Sequence, residues 1–173
     1  MWRETLRVLV LAGLCLLVAC QPGRLDLPKA TIQPATAADD QSEAEAALIT
    51  FFDLLQTGRY TEAAEYYGGS YESLARWNPA VDASDHAELL RNGCTVNGLQ
   101  CLQPRAVTQM ESTPTGEYTF LVEFETTGGD LFVLGPCCGA DETEQPPVSQ
   151  WSFHVLKNNA GRYLVMDLPP YAP

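Results

Sequence analysis

The spacing of apolar residues changes near residue 100, and this change constrains the fold more than any other feature of the chain. Upstream, a stripe at helical spacing is formed by Ala44, Leu48, Phe51, Phe52 and Leu55. Downstream, apolar and polar residues alternate along 118–125 and 151–156, which is the pattern of half-buried antiparallel strands. Helices followed by such strands predict an α+β domain in which N-terminal helices pack on a curved antiparallel sheet of about four to five strands.

Caps, glycines and turn residues give the expected boundaries of these elements. The first helix is predicted to begin at a cap on Asp40, and further helices are expected over 61–67 and 84–92, the last capped by Ser84 or Asp85. Strands are predicted at 105–112, 118–126, 131–134, 148–157 and 162–168.

The N-terminus has the layout of an export signal. Arg3 and Arg7 precede an apolar run over 8–19, which is shorter than the roughly 20 residues needed to span a bilayer. The run ends in the letters LVAC, which resemble the lipobox of bacterial lipoproteins. An ordinary buried helix is the alternative, but the run has no polar face. The resemblance implies a signal peptide at 1–19, acylation of Cys20, and an extracytoplasmic domain anchored to a bacterial cell membrane.

The segment after the lipobox has no helical or strand period and contains Pro22, Pro28 and Pro34. It is predicted to be a flexible linker over 20–40, followed by a single domain over 41–173. Removal of the leader leaves eight basic and 21 acidic residues, a net charge near −13. Because nucleic-acid binding depends on basic side chains that neutralise phosphates, this charge argues against a nucleic-acid partner.

Two stretches resemble the nuclear-transport-factor-like superfamily, the cone-shaped α+β fold that includes ketosteroid-isomerase-like enzymes. AALITFFDLLQTGRYTEAAEYY is similar to its long first helix and the turn into the second, and FHVLKNNAGRYLVMDLPPY is similar to its last hairpin. The likeness covers roughly residues 43–170 at the level of element order. It implies a cone fold, but the superfamily includes enzymes, transport factors and binding modules, so the fold alone does not define the activity.

No catalytic residue is assigned from the superfamily, whose enzymes place a carboxylate or histidine base inside the cone. The candidates are His86, His154, Asp167, Glu123 and Glu125. Each is interpreted as a solvent-facing side chain, because the spacing brings no nucleophile, base and orienting group together.

Aromatic residues cluster in the helical part of the chain, where core packing explains most of them. A loop that could cover a ligand is predicted around the glycine pair after residue 67, with the candidate ligand-binding residues Tyr66, Tyr67, Tyr71 and Trp77.

With Cys20 acylated and the leader removed, four cysteines remain in an oxidising compartment. Cys94 and Cys101 are each expected to bond to one of Cys137 and Cys138, because a bond between adjacent residues strains its ring. Soft-metal capture or a redox role of the adjacent pair is the alternative. No cofactor or resident metal is predicted.

The sequence therefore predicts a lipid-anchored extracytoplasmic domain that binds a small apolar ligand or a protein partner of the cell envelope, or supports an envelope assembly. The alternative is a small isomerase or hydratase that uses the cone cavity. A cone filled with side chains favours the binding module, whereas a polar residue in a deep cavity favours the enzyme.

Overall fold

A computed structural model describes residues 37–172 as helices followed by a single antiparallel sheet. The predicted signal peptide over 1–19, the lipidated Cys20 and most of the predicted linker lie outside the described residues. The elements are α1 (Ala37–Gln56), α2 (Tyr60–Ala63), α3 (Glu72–Trp77), α4 (His86–Thr95), β1 (Gln103–Ser112), β2 (Glu117–Glu125), β3 (Trp151–Lys157) and β4 (Tyr163–Val165).

The four strands are hydrogen-bonded in the order β1-β2-β3-β4, and each neighbouring pair is antiparallel. In the middle of the sheet, Phe120 on β2 lies opposite Phe153 on β3. β4 is short and pairs Val165 with Val155. The predicted α+β class, with helices before an antiparallel sheet, is confirmed at this level.

The core lies between α1 and one face of the sheet. All five residues of the predicted helical stripe are buried, and the alternation along β2 buries Tyr118, Phe120, Val122 and Phe124. Phe52 makes edge-to-face contacts with Phe124 and Phe153, with ring centroids 4.8 and 5.0 Å apart. Among the described residues no polar or charged residue is classed as buried, so the space under the sheet is filled by apolar and aromatic side chains.

The helix boundaries correct one predicted cap and confirm another. α1 begins at Ala37, so Asp40 lies within its first turn and does not cap it. The carboxylate of Asp40 instead accepts a hydrogen bond from Lys157 Nζ at 2.5 Å. In α4, the predicted capping residue Asp85 accepts a hydrogen bond from the backbone amide of Glu88 at 3.1 Å.

The predicted strand over 131–134 is wrong, and α3 was not predicted. Leu131 and Leu134 form only isolated bridges, to Glu125 and Val148. Prolines at 136, 146 and 147 lack amide protons, so the pairing between residues 134 and 148 does not extend into a regular strand ladder.

Over the part of the chain that the structure describes, no helix is long and apolar enough to cross a membrane.

Candidate binding surface

The C-terminal residues form a short ladder with the loop that follows α4. Gln100 donates its backbone amide to the carbonyl of Pro170 at 2.7 Å, and Ala172 donates to the carbonyl of Gly98 at 3.0 Å. Leu99 is buried at the centre of this ladder, opposite Tyr171. The ladder therefore fixes the position of Tyr171, whose side chain is 48% exposed.

The loop that supports Tyr171 is constrained in two ways. A disulfide joins Cys94 in α4 to Cys101 at the end of the loop, with Cα atoms 5.5 Å apart, inside the usual range. Gly98 has a φ of +85°, and a Cβ at this position would overlap the carbonyl oxygen of Ala172. A left-handed backbone and the close approach of another chain segment both favour glycine here.

Three exposed apolar side chains, Trp77, Val96 and Tyr171, form a surface that we name the aromatic shelf. The rings of Trp77 and Tyr171 have centroids 5.4 Å apart, and the three residues line a groove of about 400 Å³. The groove floor includes Asn97, whose side-chain oxygen accepts a hydrogen bond from the side-chain amide of Asn78 at 2.8 Å. This bond ties the end of α3 to the end of α4, so both helix ends support the shelf.

A second groove of about 250 Å³ lies against Tyr171. It is lined by Leu134, Gly135, Cys137, Gln145 and Tyr171. Tyr171 thus belongs to both grooves, and it places the cysteine-containing loop beside the aromatic shelf.

The cysteine pairing differs from the expected one. Because Cys94 and Cys101 bond to each other, no bond joins them to Cys137 and Cys138, which are free. The two free Sγ atoms lie 2.8 Å apart. The hydrogen bond between the thiols and partial burial raise the pKa of Cys137. The three residues between Cys94 and the left-handed turn at Gly98 allow the chain to return toward Cys94, which the spacing of the cysteines alone did not reveal.

The four aromatic residues predicted to bind a ligand are not brought together. Tyr66 lines a different groove, of about 380 Å³, with Tyr163. Tyr67 is buried and stacks on Phe51 at a centroid distance of 5.8 Å. Burial and the nearby charge of Asp167 raise the pKa of Tyr67 to about 12.

Tyr71 also packs inside the helical part rather than in a loop over a ligand. Its ring lies parallel to the imidazole of His86 at 3.9 Å, and burial raises the pKa of its phenol. Its hydroxyl is buried without a hydrogen-bond partner. Of the four predicted residues, Trp77 alone lies on the aromatic shelf, with 40% of its side chain exposed.

His154 on β3 and Asp167, which were predicted as two separate solvent-facing residues, form a histidine–aspartate pair. His154 Nδ1 lies 2.9 Å from Asp167 Oδ2, and the same oxygen accepts the backbone amide of His154 at 2.6 Å. Among the described residues no serine, threonine or cysteine is hydrogen-bonded to this imidazole. The pair therefore anchors the C-terminal segment to β3, and it does not complete a nucleophilic triad.

The side chains of the described residues form no candidate metal site. Within 37–172, no three histidine, cysteine, aspartate or glutamate side chains are grouped closely enough to hold an ion. Comparison with known proteins adds no constraint, because no family model, curated protein or solved structure matches the chain.

Proposed function

We propose that this protein is a lipid-anchored extracytoplasmic interaction module that binds a protein partner of the cell envelope through the aromatic shelf. The observation that carries this proposal is the exposure of Trp77 and Tyr171 side by side on a surface fixed by a backbone ladder and a disulfide. Tryptophan and tyrosine are enriched among the residues that dominate binding energy at protein interfaces. A rigid support reduces the ordering cost of binding.

The filled core supports binding in preference to catalysis. An isomerase or hydratase of the cone-fold type needs a polar group inside a cavity, whereas the core of this protein is one cluster that includes the buried rings of Phe51, Phe52, Phe120, Phe124 and Phe153. The two grooves that include Tyr171 are lined by uncharged side chains. Membership of the nuclear-transport-factor-like superfamily is part of this proposal, on the basis of the helix and hairpin sequences described above.

The anchor and the location are proposed from the leader sequence. Two or more acyl chains on Cys20 give stable attachment, since a single chain gives only marginal membrane binding. The net charge near −13 of the processed chain favours a basic or neutral partner over nucleic acid or bare anionic headgroups.

Photocrosslinking in the native cells tests the shelf. A photoreactive residue placed at position 77 or 171 is expected to give the same protein adduct, because both side chains belong to one surface. A photoreactive residue at Met110, which is 57% exposed on β1, is the matched control and is expected to give none. Identical adducts at all three positions, or none at 77 and 171, would contradict the proposed interface.

Native mass spectrometry of the protein from the same cells separates the protein partner from a small apolar ligand. A copurifying small molecule whose retention is lost in Trp77→Ala and kept in Met110→Ala would replace the protein partner with a ligand.

Intact-mass analysis tests the anchor independently. The expected product begins at Cys20 and carries acyl groups, and Cys20→Ala is expected to abolish both processing at this site and membrane attachment. A wild-type chain with an unprocessed, unmodified leader would overturn the lipoprotein proposal.

A further inference from the structure

Cys137 and Cys138 are adjacent in the sequence, and their thiols are in contact. Their Sγ atoms are 2.8 Å apart, well inside the separation of about 3.8 Å that two thiolates adopt on a tetrahedral zinc ion. A disulfide bond is about 2.0 Å long, so a small rotation of the side chains closes it. The sulfur separation thus favours bond formation over metal chelation.

The backbone of the pair is unusual for this chain. Cys138 has a φ of +62°, and it is the one non-glycine residue with a positive φ in the described part of the chain. Such conformations are uncommon outside glycine and tend to occur at functional sites. Gly139 follows with a φ of +90°, and the backbone amide of Cys137 donates to Gln145 Oε1 at 3.1 Å. The hydrogen bond to Gln145 therefore braces the short loop that carries both sulfurs.

The pair is also accessible and lies beside a groove. Cys138 is exposed, Cys137 is half-buried, and Cys137 lines the groove that contains Tyr171. A disulfide-containing molecule can therefore reach Cys138 from solvent while part of it contacts the apolar wall of the groove.

We propose that Cys137 and Cys138 form a thiol–disulfide exchange site that accepts a disulfide from a small-molecule or protein disulfide. The thiolate of Cys138 attacks one sulfur of the incoming disulfide, which breaks that bond, forms a mixed disulfide and releases one thiol. The thiolate of Cys137 then attacks Cys138 Sγ, closes the bond between the adjacent residues and releases the second thiol. The two protons from the cysteines end on the two released thiols, and two electrons pass to the incoming disulfide.

The adjacency of the two cysteines makes this an exchange site and not a permanent crosslink. Cα atoms of neighbouring residues are about 3.8 Å apart, below the roughly 4.4 Å at which ordinary disulfides begin. Strained and exposed disulfides are the labile ones. Cys94 and Cys101 have the ordinary Cα separation, so they supply the structural bond. The proposal depends on this geometry and not on the proposed anchor or partner.

Redox titration of the full chain tests the proposal. The reduced protein is equilibrated in glutathione buffers with rising fractions of oxidised glutathione, quenched in acid, alkylated and mapped by peptide mass. The peptide that contains residues 137 and 138 is expected to lose both alkylation sites together and to become two hydrogens lighter, without accumulating a glutathione adduct.

Two single variants test the order of events. Cys137→Ser removes the resolving thiol, so Cys138 is expected to accumulate one glutathione. Cys138→Ser leaves the half-buried Cys137, which is expected to accumulate the adduct several-fold more slowly. A faster reaction at Cys137 would overturn the assigned order.

Met110→Ala, at an exposed site on β1, is the control, and its 137–138 pair is expected to close at the same glutathione ratio as in the wild type. Three results on the wild-type peptide would overturn the proposal without relying on any variant: persistence of both free thiols in excess oxidised glutathione, a stable glutathione adduct, or a bond to Cys94 or Cys101.

Discussion

Phe52 is the side chain whose removal tests the core most directly. It is fully buried and packs edge-to-face on Phe124 and Phe153, which belong to two neighbouring strands. Phe52→Ala is expected to lower the free energy of unfolding by about 3–5 kcal/mol, because it removes the ring and leaves a cavity that the sheet cannot close. Urea denaturation measures the loss. Met110→Ala, at an exposed site on β1, is the control and is expected to change stability by less than about 0.5 kcal/mol.

Gly98 tests the support of the aromatic shelf. Gly98→Ala is expected to lower the free energy of unfolding by more than about 1 kcal/mol, because it combines a positive φ with overlap on the Ala172 carbonyl. Gly129 has a φ of +83° with open space around it, so Gly129→Ala isolates the backbone term and is expected to cost less. Equal losses in the two variants would show that the close approach at Ala172 contributes nothing. Amide hydrogen exchange of residue 172 reports the ladder itself.

The position of Tyr171 and the pairing of the cysteines could not be predicted from the sequence. Tyr171 lies in a proline-rich C-terminus without periodicity, and its partner Leu99 is remote in the sequence, so no local pattern could place it. No local sequence pattern indicated which cysteines form the disulfide either. Cys94 and Cys101 can reach each other because the loop turns back at Gly98, and this turn depends on a contact with Ala172.

At the scale of elements, the predictions succeeded where burial alternates strongly. Every second residue of β2 is buried, so its sequence carries a clear strand period. Residues 131–134 are also apolar, but they form only two isolated bridges, and the side chains of Leu131 and Val133 are exposed. α3 was missed because it is only six residues long and buries just Leu74. Short elements carry too few residues for a period to be recognised.

The link between the first turn of α1 and the end of β3 predicts a pH dependence. The hydrogen bond and charge of Lys157 hold the pKa of Asp40 below its ordinary value of 3.8. A carboxylate with a lowered pKa in the folded state stabilises the fold above its unfolded pKa, and this contribution is lost as the pH falls through the folded pKa. Asp40→Asn is therefore expected to destabilise the protein at neutral pH, with a difference from wild type that shrinks below pH 3.8.

Chemical denaturation at a series of pH values measures this difference. Glu142→Gln is the control, because Glu142 is exposed and forms no ion pair in the described structure. A penalty for Asp40→Asn that stays constant down to the acid limit would contradict the assigned role of the carboxylate.

At the scale of the whole molecule, the order of helices and strands was readable from the sequence because it depends on periodicity alone. The candidate surface could not be predicted from the sequence, because it is assembled from three separate segments: α3, the end of α4 and the C-terminus. Trp77 was identified among four aromatics, but the other three pack in the core or line another groove. Residue type identified the candidate aromatic residues, but their exposure depends on tertiary packing, which the sequence does not show.

The charge of the whole chain gives the last prediction. The net charge is −12 at pH 7, and three ion pairs between residues one helical turn apart lie at the surface: Arg59–Glu62, Arg76–Glu72 and Arg91–Glu88. Exposed pairs contribute little, so repulsion among the excess carboxylates dominates the surface electrostatics.

Raising the salt from about 0.01 M to about 0.15 M shortens the Debye length from about 30 to about 8 Å. We therefore expect the Tm at pH 7 to rise with salt. Near the isoelectric point of about 4.4 the net charge vanishes, and the same change in salt is expected to leave the Tm unchanged or lower it. Thermal melts followed by circular dichroism measure both series, and a Tm that falls with salt at pH 7 would show that the local pairs outweigh the net repulsion.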